Sequence, residues 1–83
     1  MSYDKVKQAS QTIIGTKQAV KAMHAGLVSE LIVALDADSW VTDPAILLAK
    51  EIGIPIATVE SKSELGKACG IHVGTAVVAI TVS

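Results

Sequence analysis

The stretch that decides the fold is residues 12–27, which read TIIGTKQAVKAMHAGL. Its first three residues are β-branched and predict a short strand, which Gly15 ends. From Thr16 onward the apolar residues recur at the spacing of one helix face, and Gly26 stands where a helix-ending glycine is expected. The stretch therefore predicts a junction at which a strand turns directly into a helix at Gly15.

Strands and helices alternate in the same way along the rest of the chain. Apolar runs predict the strands, while helical spacing, Pro44 and the capping-box pair Ser61 and Glu64 predict the helices. The predicted elements are, in order, a helix over 3–11, a strand over 12–14, a helix over 16–26, a strand over 31–35, a helix over 42–53, a strand over 54–59, a helix over 61–70 and a central strand over 76–82. This alternation predicts an α/β fold, a three-layer α/β/α sandwich with a four-stranded mixed sheet, in a single domain over residues 1–83.

The composition limits both the core and the partners. The chain has 83 residues, of which 51% are apolar and only 2% aromatic, so the core has to be built from Ala, Val, Ile and Leu. The formal net charge is -1 at pH 7, and all seven cationic residues are Lys. This is a weak electrostatic basis for binding nucleic acid, because phosphate contacts carry much of that affinity.

Several classes of protein are disfavoured. The only cysteine is Cys69, which excludes an internal disulfide and a Cys-rich zinc site and is expected to be a packing residue. No motif places His24, His72 or a carboxylate beside a nucleophile, so we expect no catalytic residue, no metal and no cofactor. The charged start and the lack of an apolar run of ~20 residues lead us to expect a cytoplasmic protein without a membrane segment.

Three segments next to predicted strands stand out as candidates for function, namely residues 14–21, 33–38 and 60–76. The first would present free backbone N–H groups, the positive end of a helix dipole, two Lys and Gln18 at one exposed tip, which suits a phosphate beside a base edge. The plainer interpretation is a helix start with solvated polar side chains. Spacing alone favours that plainer interpretation.

Taken together, the segments resemble the ribosomal-protein family of seven-A-e/thirty-e type, and especially its short bacterial branch that binds kink-turn RNA. The most specific stretches are IGTKQAVK at residues 14–21 and LGKACGI at residues 65–71. The resemblance covers nearly the whole chain. It implies a non-enzymatic module that recognises kink-turn or ribosomal RNA, with sheared G·A pairs read in a widened groove and an extruded base covered by a loop.

The resemblance also implies which residues contact the RNA. The groove-reading and phosphate-contacting set would be Gly15, Thr16, Lys17, Gln18 and Lys21, and the covering loop would be Ile71, His72, Val73, Gly74 and Thr75. Gln18 is the expected base reader, because an amide both donates and accepts hydrogen bonds. Lys67 is a further candidate phosphate anchor, and Asp36 and Asp38 are expected to order a loop.

A second hypothesis, of another class, comes from departures from the family pattern. Leu35 stands where a charged residue is usual, His24-Ala25-Gly26 lacks the usual cations, and Trp40 is predicted in a turn before a helix. A contiguous exposed patch would suit a protein partner in a natural or engineered variant, with pH sensitivity through His24 or His72. Its candidate residues are Met23, His24, Leu27, Leu35, Trp40 and Val41. Alternatively, Trp40 folds over the sheet edge and Leu35 is an ordinary strand residue.

Overall fold

A computed structural model describes residues 2–8 and 11–82, which form four helices and four strands in strict alternation. The elements are α1 (Ser2–Gln8), β1 (Thr12–Ile14), α2 (Thr16–His24), β2 (Val28–Ala34), α3 (Ser39–Ile52), β3 (Ile56–Val59), α4 (Lys62–Ala68) and β4 (Val77–Thr81). The predicted order of elements is confirmed. None of the helices in these two ranges combines the length and apolar character that crossing a bilayer requires.

The four strands form one mixed sheet in the order β1-β4-β2-β3. The central strand β4 runs antiparallel to both of its neighbours, and β2 and β3 pair in parallel. The central position of β4 is as predicted from its apolar sequence. As a result β1, β2 and β3 end at the same side of the sheet, where β4 begins. We call this side the carboxyl edge.

Helices cover both faces of the sheet, as the three-layer prediction requires. Along β2, Leu31 and Val33 point towards α2 and α3, whereas Ile32 and Ala34 point towards α1 and α4. Full burial of a side chain such as Leu31 stabilises the fold by about 1.5–3 kcal/mol. Alanines let the helices approach the first face closely, and those that are fully or almost fully buried are Ala19, Ala22, Ala45 and Ala49.

The start of α3 differs from the prediction. The helix begins at Ser39 with Asp38 as its N-cap residue, so the predicted start at residue 42 is wrong. Pro44 lies inside the helix, where its missing N–H cannot bond the carbonyl of Trp40. Reading Pro44 as a first-turn residue caused the error. The correction moves Trp40 from a turn into the first turn of α3.

Other boundaries shift by a few residues. Strand β2 begins at Val28 and ends at Ala34, so Leu35 lies just beyond the strand, although its N–H still donates to the carbonyl of Val59 at 2.8 Å. Strand β3 begins at Ile56, two residues later than predicted. The predicted continuation of α1 through residues 9 and 10 lies outside the described residues, and Gln11 is not helical.

Candidate nucleic-acid interface

The junction at Gly15 joins the sheet to α2 as the sequence predicts. Gly15 has φ 103° and ψ 148°, a conformation that side-chain-bearing residues rarely adopt. Its N–H donates to the carbonyl of Val77 at 2.9 Å, and its carbonyl accepts from the N–H of Ala19 at 2.9 Å. One glycine therefore bonds both to the start of β4 and to the first turn of α2, which fixes α2 at the carboxyl edge.

The N-terminus of α2 presents unused hydrogen-bond donors to solvent. No side chain of the described residues caps this helix. The N–H groups of its first residues have no acceptor within the helix, and they carry the positive end of the helix dipole. Lys17, Gln18 and Lys21 are exposed, with Lys21 one turn after Lys17. This arrangement can bind an anionic group and offer an amide to a neighbouring base.

The 71–75 loop lies at the same edge, between α4 and β4. The N–H of Ile71 donates to the carbonyl of Gly66 at 3.1 Å, and the N–H of Thr75 donates to the carbonyl of Lys62 at 3.1 Å. His72 and Val73 are exposed between these two anchor points. Because Val77 accepts from Gly15, the sheet brings the loop and the α2 junction to one side of the molecule.

Thr75 does not face solvent, unlike the rest of the loop. It is buried, and its hydroxyl donates to the carbonyl of Val77 at 3.1 Å. The side chain of Thr75 thus holds the end of the loop against β4, and its place in the covering loop stays a prediction.

Two glycines allow the loop to pack directly on α4. A Cβ atom on Gly66 would collide with the carbonyl group of Val73, and a Cβ on Gly74 would lie 3.2 Å from the carbonyl oxygen of Lys62. Gly66, Gly70 and Gly74 recur every four residues in the sequence. This spacing was visible in the sequence, but the sequence alone did not reveal that Gly66 and Gly74 mark a contact between the loop and α4.

The acidic turn after β2 holds the start of α4. The carboxylate of Asp36 accepts the N–H of Lys62 at 2.8 Å. The expected loop-ordering role is thus seen for Asp36, whereas the side chain of Asp38 makes no cap hydrogen bond at the start of α3. Lys62 is itself exposed at the carboxyl edge and was missed as a candidate cation. The sequence did place Lys62 directly after the predicted N-cap residue Ser61, at the start of a helix that follows a strand end, and this position could have identified it.

The predicted capping box at the start of α4 is half formed. The hydroxyl of Ser61 accepts the N–H of Glu64 at 3.2 Å. The N–H of Ser61 donates to the hydroxyl oxygen of Tyr3 at 3.1 Å, so Tyr3 provides the acceptor that a capping box assigns to the Glu side chain. This contact ties α1 to the element that carries the 71–75 loop.

An apolar groove of about 420 Å³ opens between the starts of α2 and α3. We call it the Trp40 groove, and it is lined by Thr16, Lys17, Val20, Trp40, Val41 and Pro44. Trp40 is 76% exposed, so the alternative in which it folds over the sheet edge is wrong. Leu35 is also exposed but does not line the groove.

The six candidate residues for a protein-binding patch do not form one surface. Met23 is only 2% exposed and belongs to the core between α2 and the sheet, so its assignment to a patch is wrong. His24 ends α2, about 12 Å along the axis from Thr16 at 1.5 Å per residue. Leu27 lies further on, beside the end of β4. Trp40 and Val41 line one groove, whereas Leu35 lies just after β2 and outside that groove.

The remaining candidates for chemistry are the metal-ligating side chains and the single cysteine. In the ranges 2–8 and 11–82, no three His, Cys, Asp or Glu side chains gather as a metal site would require. Cys69 is half-buried at the end of α4, and its burial raises the pKa of the thiol. The neutral thiol packs beside Ala68 and Leu65, in agreement with its expected packing role.

Comparisons with known proteins give consistent results over nearly the whole chain. The model of the Ribosomal protein L7Ae/L30e/S12e/Gadd45 family matches residues 2–83. A protein of Bacillus pumilus (strain SAFR-032) described as an RNA-binding protein is 56% identical over 80 residues, which are 96% of this chain and 98% of that protein. The RNA-binding protein YbxF of Geobacillus stearothermophilus is 48% identical over 80 residues, with the same two coverages of 96% and 98%.

A solved structure extends the likeness to three dimensions. The Giardia lamblia 15.5kD RNA binding protein superposes with a TM-score of 0.88 at 30% sequence identity. The match covers 99% of this chain and 72% of that protein. The four-stranded sheet with helices on both faces is therefore the same arrangement in the two molecules.

Proposed function

Because the chain belongs to the Ribosomal protein L7Ae/L30e/S12e/Gadd45 family, we propose that it binds kink-turn RNA at the carboxyl edge of its sheet. Membership of the family confirms the resemblance predicted from residues 14–21 and 65–71. The names of its relatives support RNA as the class of partner. Recognition of a kink-turn, with its sheared G·A pairs, is the finer proposal, and it depends on the geometry of the edge. The proposed activity is binding alone, without catalysis.

The observation that carries the proposal is the uncapped start of α2 with its exposed side chains. Backbone N–H groups and the dipole favour a phosphate at this point, and Lys17 and Lys21 add charge on the same side. Phosphate contacts position the protein without reading sequence, whereas Gln18 can donate to and accept from a purine edge. We therefore assign anchoring to Lys17 and Lys21 and base discrimination to Gln18.

The 71–75 loop supports the second half of the proposal. Its exposed Val73, beside the half-buried Ile71, offers an apolar surface to an unstacked base. The loop is held at both ends by hydrogen bonds to α4, so little ordering is needed when RNA binds. A preformed loop beside a charged helix start suits recognition of a kinked shape better than recognition of a regular duplex.

The charge of the edge predicts a modest dependence on salt. The candidate phosphate anchors there are Lys17, Lys21 and Lys62. The Nζ of Lys67 lies 3.6 Å from Oε1 of Glu64, so this carboxylate offsets part of its charge. Three neutralised phosphates correspond to a slope of about -2 to -3 in a plot of log K against log salt concentration. The overall charge of -1 therefore limits affinity without excluding it.

Replacing Gln18 tests the proposal. We expect the chain to bind a kink-turn RNA more tightly than the same RNA with its G·A pairs replaced by Watson–Crick pairs. Gln18→Ala should lower the affinity for the kink-turn RNA about tenfold and leave the affinity for the other RNA unchanged, since one good bidentate contact is worth about 1–3 kcal/mol. Titrations of the two proteins with the two RNAs, at two salt concentrations, measure the preference for the kink-turn and the loss in Gln18→Ala. Gln11→Ala is the matched control, because Gln11 is exposed on the opposite side of the sheet. Equal affinity of the original chain for the two RNAs would refute the proposal.

Binding of a protein partner remains a second candidate only for Leu35, Trp40 and Val41, of which the last two line the Trp40 groove. The exposure of Leu35 and Trp40 favours it. Its pH-sensitive form would depend on His72, because His24 lies at the far end of α2. A complex that forms with a protein, is lost in both Leu35→Ala and Trp40→Ala, and is unaffected by kink-turn RNA would establish this candidate.

A further inference from the structure

We propose that the Trp40 groove binds an unpaired nucleobase of the RNA held at the start of α2, with the base stacked on the indole of Trp40. This inference rests on the proposed function and extends it beyond the α2 junction and the 71–75 loop. The occupant is one base from a nucleotide that adjoins the kinked element.

Continuity with the α2 junction is the first argument. Thr16 and Lys17 belong both to the uncapped start of α2 and to the lining of the groove. A phosphate bound at these residues therefore lies at the mouth of the groove. The next nucleotide along the strand would then lie beside the groove that Trp40 lines.

The shape and chemistry of the groove suit a flat aromatic ring. Val20 lies one turn after Thr16 in α2, and Pro44 lies one turn after Trp40 in α3, so the two helix starts form facing apolar walls. A volume of about 420 Å³ is in the range of pockets that bind small molecules. Bases stack on aromatic side chains with little regard to sequence, because every base has a π face.

Trp40 is not needed for the fold. The core is made of aliphatic residues and contains no Trp, and the indole N–H has no hydrogen-bond partner among the described residues. A large aromatic side chain that is 76% exposed beside an open apolar groove gains most from a partner that covers it. The position of Trp40 is therefore best explained by a ligand.

Charge decides between a base and a phosphate inside the groove. Lys17 stands at the mouth, but Asp43 is exposed on α3 and Asp38 precedes that helix. These carboxylates repel phosphate from the α3 side, whereas an uncharged base can enter between the helices. The strand would thus keep its backbone near α2 and turn a base towards Trp40.

Fluorescence gives a direct test, because Trp40 is the sole tryptophan of the chain. The probes are a blunt-ended kink-turn RNA and the same RNA with a four-nucleotide unpaired extension at one end or the other. We expect one extension to quench the indole emission and to tighten binding by about tenfold, as stacking of a single base does. Trp40→Ala should lose this gain yet bind the blunt RNA as the original chain does, and Trp40→Phe should keep part of it.

The control is Leu47→Ala, which removes an apolar side chain of the same helix that is 66% exposed and lies outside the groove. Unchanged indole emission with both extended RNAs, or an equal loss in Leu47→Ala and Trp40→Ala, would overturn the inference while the kink-turn proposal stands. So would a Trp40→Ala protein that binds the extended RNA as tightly as the original chain does; if the original chain also formed dimers in sedimentation and this variant did not, the groove would bind a second copy instead. Absence of any preference for the kink-turn in the original chain would overturn both proposals.

Discussion

The two parts of the proposed interface are held in place by different means. The α2 junction depends on residues that are neighbours in sequence, with Gly15 turning the chain from β1 into α2. The 71–75 loop depends on distant partners, since Asp36 and Tyr3 hold the start of α4, and α4 in turn holds the loop. The junction is therefore mainly a local structure, with one distant bond from Gly15 to Val77, whereas the loop is a consequence of tertiary packing. Changes in the two regions should have different consequences for stability and for binding.

The largest expected effect is that of Gly66→Ala. The new methyl group would collide with the carbonyl of Val73, so the loop and α4 have to separate. We expect the free energy of unfolding to fall by about 2–3 kcal/mol, as in other overpacked sites, and RNA affinity to fall with it. Urea denaturation measures the loss. Gly26→Ala is the control, because a Cβ there meets nothing within 4 Å and its cost is limited to the positive φ of 74°. An equal loss in the two variants would contradict close packing of the loop.

Gly15→Ala should have a smaller effect on stability and a comparable effect on binding. A Cβ on Gly15 has open space around it, so the penalty comes from the backbone conformation alone, at about 1–2 kcal/mol. Relief of that strain would reorient the first turn of α2 and remove the anion site. We expect RNA affinity to fall at least tenfold in a titration at fixed salt. Retention of full affinity would show that the junction does not position the RNA.

Asp36→Ala tests whether the acidic turn acts on the loop at a distance. The variant leaves the N–H of Lys62 without its acceptor, which should cost about 0.5–1.5 kcal/mol at this exposed position. The 71–75 loop should become more mobile, which faster hydrogen exchange at the N–H of Thr75 would detect. Asp43→Ala is the control, because Asp43 is exposed in α3 and no hydrogen bond of its side chain is found among the described residues. Unchanged hydrogen exchange at the N–H of Thr75 in Asp36→Ala would show that the acidic turn does not order the 71–75 loop.

The smallest expected effect concerns Cys69 at the end of α4. Burial raises the pKa of this thiol above 9.0, so the folded chain disfavours the thiolate. The contribution of the buried, neutral Cys69 thiol to the free energy of unfolding is therefore present below pH 9.0 and is lost as the pH rises through the pKa of the folded chain. We expect iodoacetamide at pH 8 to modify Cys69 several times more slowly in the native than in the urea-unfolded chain, since the thiolate is the nucleophile. Equal rates would show that α4 does not shield the thiol.

The difference between the two regions also explains what the sequence allowed us to predict. Residues 12–27 contain the strand, the glycine and the helix of the junction, so local rules were enough. The bond from Asp36 to Lys62 joins residues 26 positions apart, and that from Ser61 to Tyr3 spans 58 positions. No local pattern reveals such pairs. The resemblance to the family identified the loop, but the burial of Thr75 and the close packing at Gly66 depended on the tertiary structure.

The misplaced start of α3 had the largest consequence for function. A proline within the first four predicted positions is ordinarily a helix-start indication, and it led us to place Trp40 in a turn. The helix instead starts at Ser39, with only residues 35–38 between it and the end of β2 and with Asp38 as its N-cap residue. This earlier start aligns Trp40 with Thr16 and creates the Trp40 groove. The assignment of Met23 to the patch was wrong for a different reason, since Met23 lies on the buried face of α2.

The most direct test of the account is an NMR titration of the ¹⁵N-labelled chain with the kink-turn RNA. We predict saturable shifts of the amide signals of residues 15–21 and 71–75, which lie at the carboxyl edge, together with small or no shifts of Leu27, Thr81 and Val82 on the opposite side. Saturable shifts concentrated at Leu27 and Val82, or no saturable shifts at residues 15–21, would contradict the assignment of RNA binding to the carboxyl edge.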